Sequence, residues 1–221
     1  MYKTEMHCHS ASVSICAGAT ADFIVEKYLE AGYTTIVSTE HINDGTYRRM
    51  KELPWQEKVD HFLKGRQALE DAAKGRLHIL QGAEIALYAD KNDYLVYGIT
   101  EEFLRSIDDP RHLPSLKELS ELVHQNGMLI FQAHPFRTGM TVSKPKYLDG
   151  IEIANLSPGT DSNNEFAKMW AEKYSLNGIS GTDFHNTDHT SSGGIMTDIP
   201  ITDNDTLLKT LREKTFTPIL K

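Results

Sequence analysis

The chain has 221 residues, with 23 Lys and Arg against 31 Asp and Glu and a formal net charge of −8. A hydrophobic share of 39% suits one globular core, read as a single domain over residues 1–221, and excludes a disordered chain. No apolar run approaches the ~20 residues needed to cross a bilayer, and the acidic balance argues against a broad nucleic-acid-binding face.

The first residues, Met1 to Ser10, are polar, with Lys3, Glu5 and two histidines, and do not read as a signal peptide. Cys8 and Cys16 give no disulfide framework and fit a reducing compartment, so the expected location is the cytoplasm. Tyr2–Met6 alternates as a strand and runs into His7-Cys8-His9. Thr20 is placed to cap a helix through Ala31, with Phe23, Ile24, Tyr28 and Ala31 along one side and Gly32 as its stop. Thr34–Thr39 reads as a buried strand that ends at Glu40-His41. A helix over Gln56–Ala73 follows, with Val59, Phe62, Leu63 and Leu69 inward and Gly75 ending it. His78–Ala83 and Tyr94–Ile99 read as strands. Ser115 and Glu118 form a capping box for a helix through Gln125, Gly127 breaks it, and Met128–Ala133 is the next strand. Strand Ile151–Ala154, a helix over Glu165–Leu176 and strand Gly178–Ser180 continue the alternation. A last helix, Asp205–Glu213, precedes a short terminal run.

Strands alternating with helices predict a mostly parallel sheet, and about seven such units favour a closed or nearly closed α/β barrel over an open sheet. The polar residues favour the barrel as well. His7, His41, Glu84, His134 and Asp183 each fall at or just past the carboxyl end of a predicted strand, the end that builds active sites in barrels. His7 and His9, two apart on an extended chain, face the same side and can share one ion, while Cys8 faces the other way. Glu84 closes an apolar strand, where an unpartnered carboxylate would be costly and either a metal or a salt bridge would satisfy it. In Gly181-Thr182-Asp183-Phe184-His185 the acid and the imidazole again share a face, and Gly181 lets the backbone approach a ligand closely. Any one of these histidines alone would read as a satisfied core residue. Together, five histidines and two acids read as a metal cluster.

The order His-x-His, Glu-His after a strand, Gly-Ala-Glu, His-Pro-Phe and Gly-Thr-Asp-Phe-His resembles the PHP family, named for polymerase and histidinol phosphatase domains. The resemblance spans His7 to His185 and implies a distorted (β/α)7 barrel that holds two or three divalent ions, zinc, manganese or iron. It implies that His7 and His9 bind the first metal with Asp183 completing that site, and that Glu84 bridges two metals. His134 would bind the second ion, and His41 and His185 the third. Three departures stand out. Glu101 (or Glu102) is the nearby candidate for a histidine that relatives carry. Ser14, Ile15 and Cys16 stand where relatives carry an acid or histidine, with Cys16 a weak metal candidate. Glu40 replaces the usual Asp before His41 and is expected to orient that ring.

The implied activity is hydrolysis of a small metabolite phosphate ester, in the manner of histidinol phosphatase, by a metal-activated hydroxide. His185 is the candidate proton donor to the leaving group, and Arg137, just after His134-Pro135-Phe136, the candidate phosphate clamp, with Lys144 a weaker one. For Arg137 a surface ion pair is the alternative. Two competing readings are a metal-dependent amidohydrolase attacking a carbonyl and a non-catalytic metal-binding regulatory module. His61, His78, His112, His124 and His189 read as structural or loop residues. The expected partner is a small phosphorylated substrate, with neither membrane nor nucleic acid.

Overall fold

The computed structural model describes residues 1–220. Strands β1 (Tyr2–Cys8), β2 (Thr35–Ser38), β3 (His41–Ile42), β4 (His78–Ala86), β5 (Asp93–Tyr97), β6 (Leu129–Gln132), β7 (Gly150–Asn155), β8 (Asn177–Gly181), β9 (Ile195–Thr197) and β10 (Thr217–Pro218) form one sheet. Its order is β10-β9-β1-β2-β4-β5-β6-β7-β8, with the short β3 paired to β4. A parallel bridge between Cys8 and Phe184 brings the β8 end back against β1, so the barrel is nearly closed. Helices α1 (Ala21–Glu30), α2 (Trp55–Ala73), α3 (Glu101–Ser106), α4 (Leu116–Gln125), α5 (Asn164–Tyr174) and α6 (Asn204–Glu213) cover it.

The local signals behave as the residue types require. Thr20 accepts from the Phe23 amide at the start of α1, Ser115 from Lys117 at α4, and Asp203 from Thr206 at α6. Glu118 completes its box by accepting from the Ser115 hydroxyl and not from a backbone amide. Helix α3, capped by Thr100, and strand β9 lie where no element was expected. Helix α5 ends at Tyr174, two residues early, where Ser175 turns into the left-handed region.

The main correction to the expected topology is β5. It pairs antiparallel with both β4 and β6, whereas β1, β2, β3, β4, β6, β7 and β8 run one way. Only residues 87–92 separate β4 from β5, and a parallel return needs a crossover of a dozen residues or more. The reversal puts Asp93, the first residue of β5, at the rim where its neighbours end. Thr100 and Glu101 therefore lie at the opposite rim.

Inside the barrel, Met6, Val37, Leu80, Leu95, Tyr97, Phe131 and Ile179 pack together. Between the strands and helices lie two further clusters, one with Ile24, Tyr28, Ile36 and Leu69, the other with Phe62, Ile85, Val96, Leu119 and Ile130. Leu95 and Tyr97 face inward while Tyr94 and Val96 face out, so alternation also points Asp93 inward. The same rule places Leu80, Gly82 and Glu84 along the inner face of β4.

Candidate metal centre

Strand β1 does not alternate to its end. Its pairing with β2 is irregular between Glu5 and Cys8, and Met6 and His7 both face the interior while Cys8 packs outward under α1. Glu5 holds this bulge. Its Oε1 accepts from the backbone amides of Met6 (2.9 Å), His7 (2.8 Å) and Thr182 (2.9 Å), and its Oε2 from Tyr28 Oη (2.7 Å) and Thr182 Oγ1 (2.5 Å). Burial raises the Glu5 carboxyl above the ordinary range, against the pull of the bonds from Thr182 and Tyr28. The bulge re-aims the chain so that His7 and His9 enter one space, ring centroids 5.0 Å apart.

Around that pair the strand ends converge. Glu84 Oε2 stands 3.3 Å from His7 Nε2, 3.3 Å from His9 Nε2 and 2.8 Å from His41 Nδ1, while Glu84 Oε1 is 3.1 Å from His134 Nε2. Asp183 Oδ1 lies 3.4 Å from both His7 Nε2 and His9 Nε2. His185 Nε2 is 3.4 Å from His41 Nε2, and Asp93 Oδ2 is 4.0 Å from His134 Nε2. Four sets of potential ligand atoms lie within 4.8 Å of one another: His9–His41–His185, His7–His134–Asp183, His7–His9–Glu84 and Glu84–Asp93–His134. His7, His9, Glu84, His134 and Asp183 are buried, and His41, His185 and Asp93 are half-buried on the open side.

Apart from the contacts of His134 Nε2 with Glu84 Oε1 and of His185 Nε2 with His41 Nε2, these groups face one another with polar atoms left unbonded. His7 Nε2, both ring nitrogens of His9, His41 Nδ1, His134 Nδ1 and Glu84 Oε2 are buried with no hydrogen-bond partner among the described residues. Each such orphan costs on the order of 1–3 kcal/mol, and a native fold leaves few of them. Divalent cations at the centre of the sets would satisfy those that face it, His7 Nε2, one nitrogen of His9, His41 Nδ1 and Glu84 Oε2, and the mixed imidazole and carboxylate donors suit such ions. The fit is good.

The electrostatics agree. Burial works against the charged form of His7, but Asp183, Glu84 and Glu152 outweigh it and hold that imidazole well above its ordinary range. Glu84 and Asp183 are held well below theirs, against burial, chiefly by His7. Asp93 is raised to about 6 by burial and the Glu84 charge. His185 is pushed down to about 3 by burial and then by His9. Its Nδ1 donates to the Asp183 carbonyl at 2.9 Å, which leaves Nε2 a lone pair facing the cluster.

Two cluster members sit in strained backbone. His134 has φ +27° and Asp183 φ +51°, left-handed values that cost a non-glycine residue about 1–3 kcal/mol each. Glu152, buried on β7, spans the first of these turns. Its Oε1 is 3.0 Å from His7 Nδ1, and its Oε2 accepts from the His134 amide and from Asn155 Nδ2, each at 2.9 Å. Gly181 serves this packing and not ligand approach as expected, since a Cβ there would sit 2.4 Å from His7 Cβ and 2.5 Å from Glu152 Oε1.

The structure thus brings together His7, His9, His41, Glu84, His134, Asp183 and His185 and leaves Glu101 out. Glu101 opens α3 with its side chain 58% exposed and pairs with Arg105 at 2.8 Å, and Glu102 is likewise exposed. Asp93, which sequence reasoning missed, occupies the rim instead. Its signal, an acid at the start of an apolar run seven residues after the end of β4, becomes visible only once β5 is known to be reversed. Glu5 and Glu152 were also missed, and acids inside apolar strands were the available cue. Glu40 does not orient the His41 ring as expected, because its carboxylate is taken by Ser10 and Ser14. Arg137 donates to Asp183 Oδ2 at 2.7 Å and Asn155 Oδ1 at 2.8 Å, so it forms a pair inside the centre and not on the surface. Lys144 is exposed beside Asn92 and Tyr94, with no ion pair among the described residues. Of the other histidines, His189 accepts from the His185 amide (3.1 Å) and His124 pairs with Asp149 (2.9 Å).

Residues 161–216 match the family model described as PHP-associated. No curated protein matches the chain. Among solved structures, a two-domain protein of Bacteroides vulgatus containing a predicted PHP-like metal-dependent phosphoesterase superposes with a TM-score of 0.68 at 16% identity, over 98% of this chain and 64% of that one. This is the PHP fold. A similar fold is found in an amidohydrolase of Chromobacterium violaceum with bound sulfate (TM-score 0.58, 15% identity, 98% of each chain). It appears again in a lesion-specific endonuclease of Pyrococcus furiosus (0.65, 14%, 98% of this chain and 57% of that one). The chain therefore spans under two thirds of two of these three relatives, and its PHP resemblance, read first from motifs, has support from both the family model and the fold. Among the described residues no helix is long and apolar enough to cross a membrane.

Proposed function

We propose that this chain is a PHP-family phosphoesterase that hydrolyses a phosphate ester of a small metabolite with two or three divalent ions. The observation that carries the reading is the set of buried, unbonded imidazole and carboxylate atoms gathered at the carboxyl rim of the barrel. Divalent ions there supply Lewis-acid polarisation of a phosphate and acidification of a water. His7, His9, Glu84 and Asp183 would hold one ion, Glu84, Asp93 and His134 a second, and His41 and His185 a third. Glu152 fixes the His7 tautomer by accepting from its Nδ1, so that Nε2 presents its lone pair to the centre.

Arg137 keeps one edge of its guanidinium on Asp183 and Asn155 and would meet phosphate with the rest. His185, with Nδ1 committed to a carbonyl and Nε2 an acceptor, reads as a ligand and no longer as the proton donor. The acidic net charge is weak ground for excluding nucleic acid, since a lesion-specific endonuclease shares the fold. Short oligonucleotides therefore join histidinol phosphate, nucleotides and sugar phosphates as test substrates.

The test is metal quantification of the purified protein coupled to phosphate release over that panel after loading with manganese, zinc or iron. Turnover of at least one ester, lost in His9→Ala, is the expected result. Less than one bound ion per chain and no hydrolysis after loading would sink the reading in favour of a binding module. The amidohydrolase with bound sulfate gives the carbonyl alternative a specific observation. Amide and lactone arms in the same screen separate the two, because hydrolysis there without phosphate release would select the alternative.

A further inference from the structure

Helices α2 and α3 meet at one end only. There Trp55 Nε1 donates to Leu104 O (2.8 Å) and Arg105 pairs with Asp60 (2.7 Å). Toward the rim opposite the metal centre they part around a cavity of about 570 Å³, floored by residues 77–81 and closed by residues 202–204. Its volume falls in the range of small-molecule sites.

Two side-chain amides line this cavity, and each is half satisfied. Gln81, 5% exposed, faces outward with Ile79 and Ala83 by the alternation of β4. Its Nε2 turns back to the backbone carbonyls of Gly82 (2.6 Å) and Ser38 (3.4 Å), which leaves Oε1 on the cavity side without a donor among the described residues. Asn204, at the start of α6, repeats the arrangement: Nδ2 donates to Ile99 O (3.2 Å), and Oδ1 is buried with no partner. A bare, buried amide oxygen is uncommon, and two on one cavity call for a ligand with N–H donors. The surrounding charge fixes the sign of that ligand. Glu70, Glu101 and Asp203 stand against one imidazole, His78, and one guanidinium, Arg66, which Glu70 already occupies at 2.8 Å. Leu63, Leu77 and Ile99 add an apolar wall.

We infer that this cavity binds a protonated primary alkylamine, with its ammonium on the Gln81 and Asn204 oxygens and its carbon chain along the apolar wall. The site is separate from the metal centre. Gln81 lies three residues before Glu84 on β4 but on the opposite face of the strand, so the inference does not rest on the phosphoesterase reading.

Isothermal titration with butylammonium chloride tests it, run on the full chain both after metal loading and after chelation. Tetramethylammonium, a cation with no N–H, and butyrate, a similar chain of opposite charge, are the controls. Butylammonium should bind saturably at one site with the same affinity in both preparations, and neither control should bind. Asn204→Ala removes one acceptor of a charge-assisted bond and should weaken binding about 10–100-fold. Leu63→Trp fills the cavity from α2 and should abolish binding; if it melts early, Asn204→Ala alone decides. No saturable binding of butylammonium, equal binding of tetramethylammonium, or unchanged affinity in Asn204→Ala would overturn the inference. Binding confined to the metal-loaded protein would place the amine on the metals and overturn it too.

Discussion

Glu152 contributes no atom to the four ligand sets, yet it touches two of their members. It accepts from the His134 amide in a left-handed turn and holds His7 through Nδ1. Replacing it with Gln keeps the volume but turns one acceptor into a donor that meets amide hydrogens. Glu152→Gln should weaken metal binding by about 10–100-fold with little change in far-UV dichroism, which isothermal titration with manganese and zinc would measure. Unchanged affinity would show that the His7 tautomer is set elsewhere. Gly181 makes a steeper case, because its missing Cβ is filled by His7 Cβ and Glu152 Oε1. Gly181→Ala cannot be relieved by a flexible side-chain tip on the His7 side, so at least the ~1–3 kcal/mol of an overpacked core is expected. Chemical denaturation would show it, and a variant as stable as the native protein would mean that β1 and β8 can separate freely.

At the scale of elements, legibility followed sequence distance. The positions of β1, β2, β4, β6 and β8 could be read because each closes an apolar run with a polar ligand-type residue, and caps such as Thr20 marked the helices. The direction of β5 could not be read from its own residues, since Tyr94–Tyr97 looks the same in either orientation. Only the short connection over residues 87–92 carried the information, and misreading it moved the candidate ligand from Asp93 to Glu101. The bulge of β1 was hidden for a related reason: the carboxylate that holds it, Glu5, finds its partners 23 and 177 residues away.

Another long-range device braces the connection that follows His41. Arg111, with its side chain 4% exposed, pairs with Asp109 (2.5 Å) and Asp44 (2.9 Å) and stacks against Tyr47 and Tyr88. Arg111→Met should cost up to about 3 kcal/mol, because Asp109 is left with only the longer contact to Lys58 at 3.9 Å. Burial works to raise the Asp109 carboxyl, but hydrogen bonding and charge from Arg111 hold it below its ordinary value. A depressed folded pKa means stability that is present above the unfolded value, ~3.9, and lost as pH falls through the folded one. The gap between native and variant in urea denaturation should therefore be full near neutral pH and narrow below about pH 4. A gap that stays constant into acid would assign the loss to the aromatic stacking and not to the ion pair.

For the whole molecule, the centre is where the barrel is weakest without its ions. Left-handed backbone at His134 and Asp183, together with buried ring nitrogens that bond to nothing, concentrates cost on the rim where β1, β4, β6 and β8 meet. Ligands that bind only the folded chain return that cost by mass action: one ion at a hundredfold excess over its Kd adds about 2.7 kcal/mol. For a chain of this length each kcal/mol moves the melting temperature by ~2–4 °C, so stripping one ion should lower it by roughly 5–11 °C. Two or three ions should lower it further. Differential scanning calorimetry with and without chelator, followed by re-addition of manganese and zinc separately and together, tests this directly. If sites within the centre prefer different ions, the mixture should restore more stability than either metal at the same total concentration. Equal restoration by one metal alone would mean that the sites do not discriminate. A melting temperature indifferent to chelation, in protein shown to carry metal, would mean that the rim is held by protonated imidazoles against Glu84, Asp183 and Glu152 without help from cations.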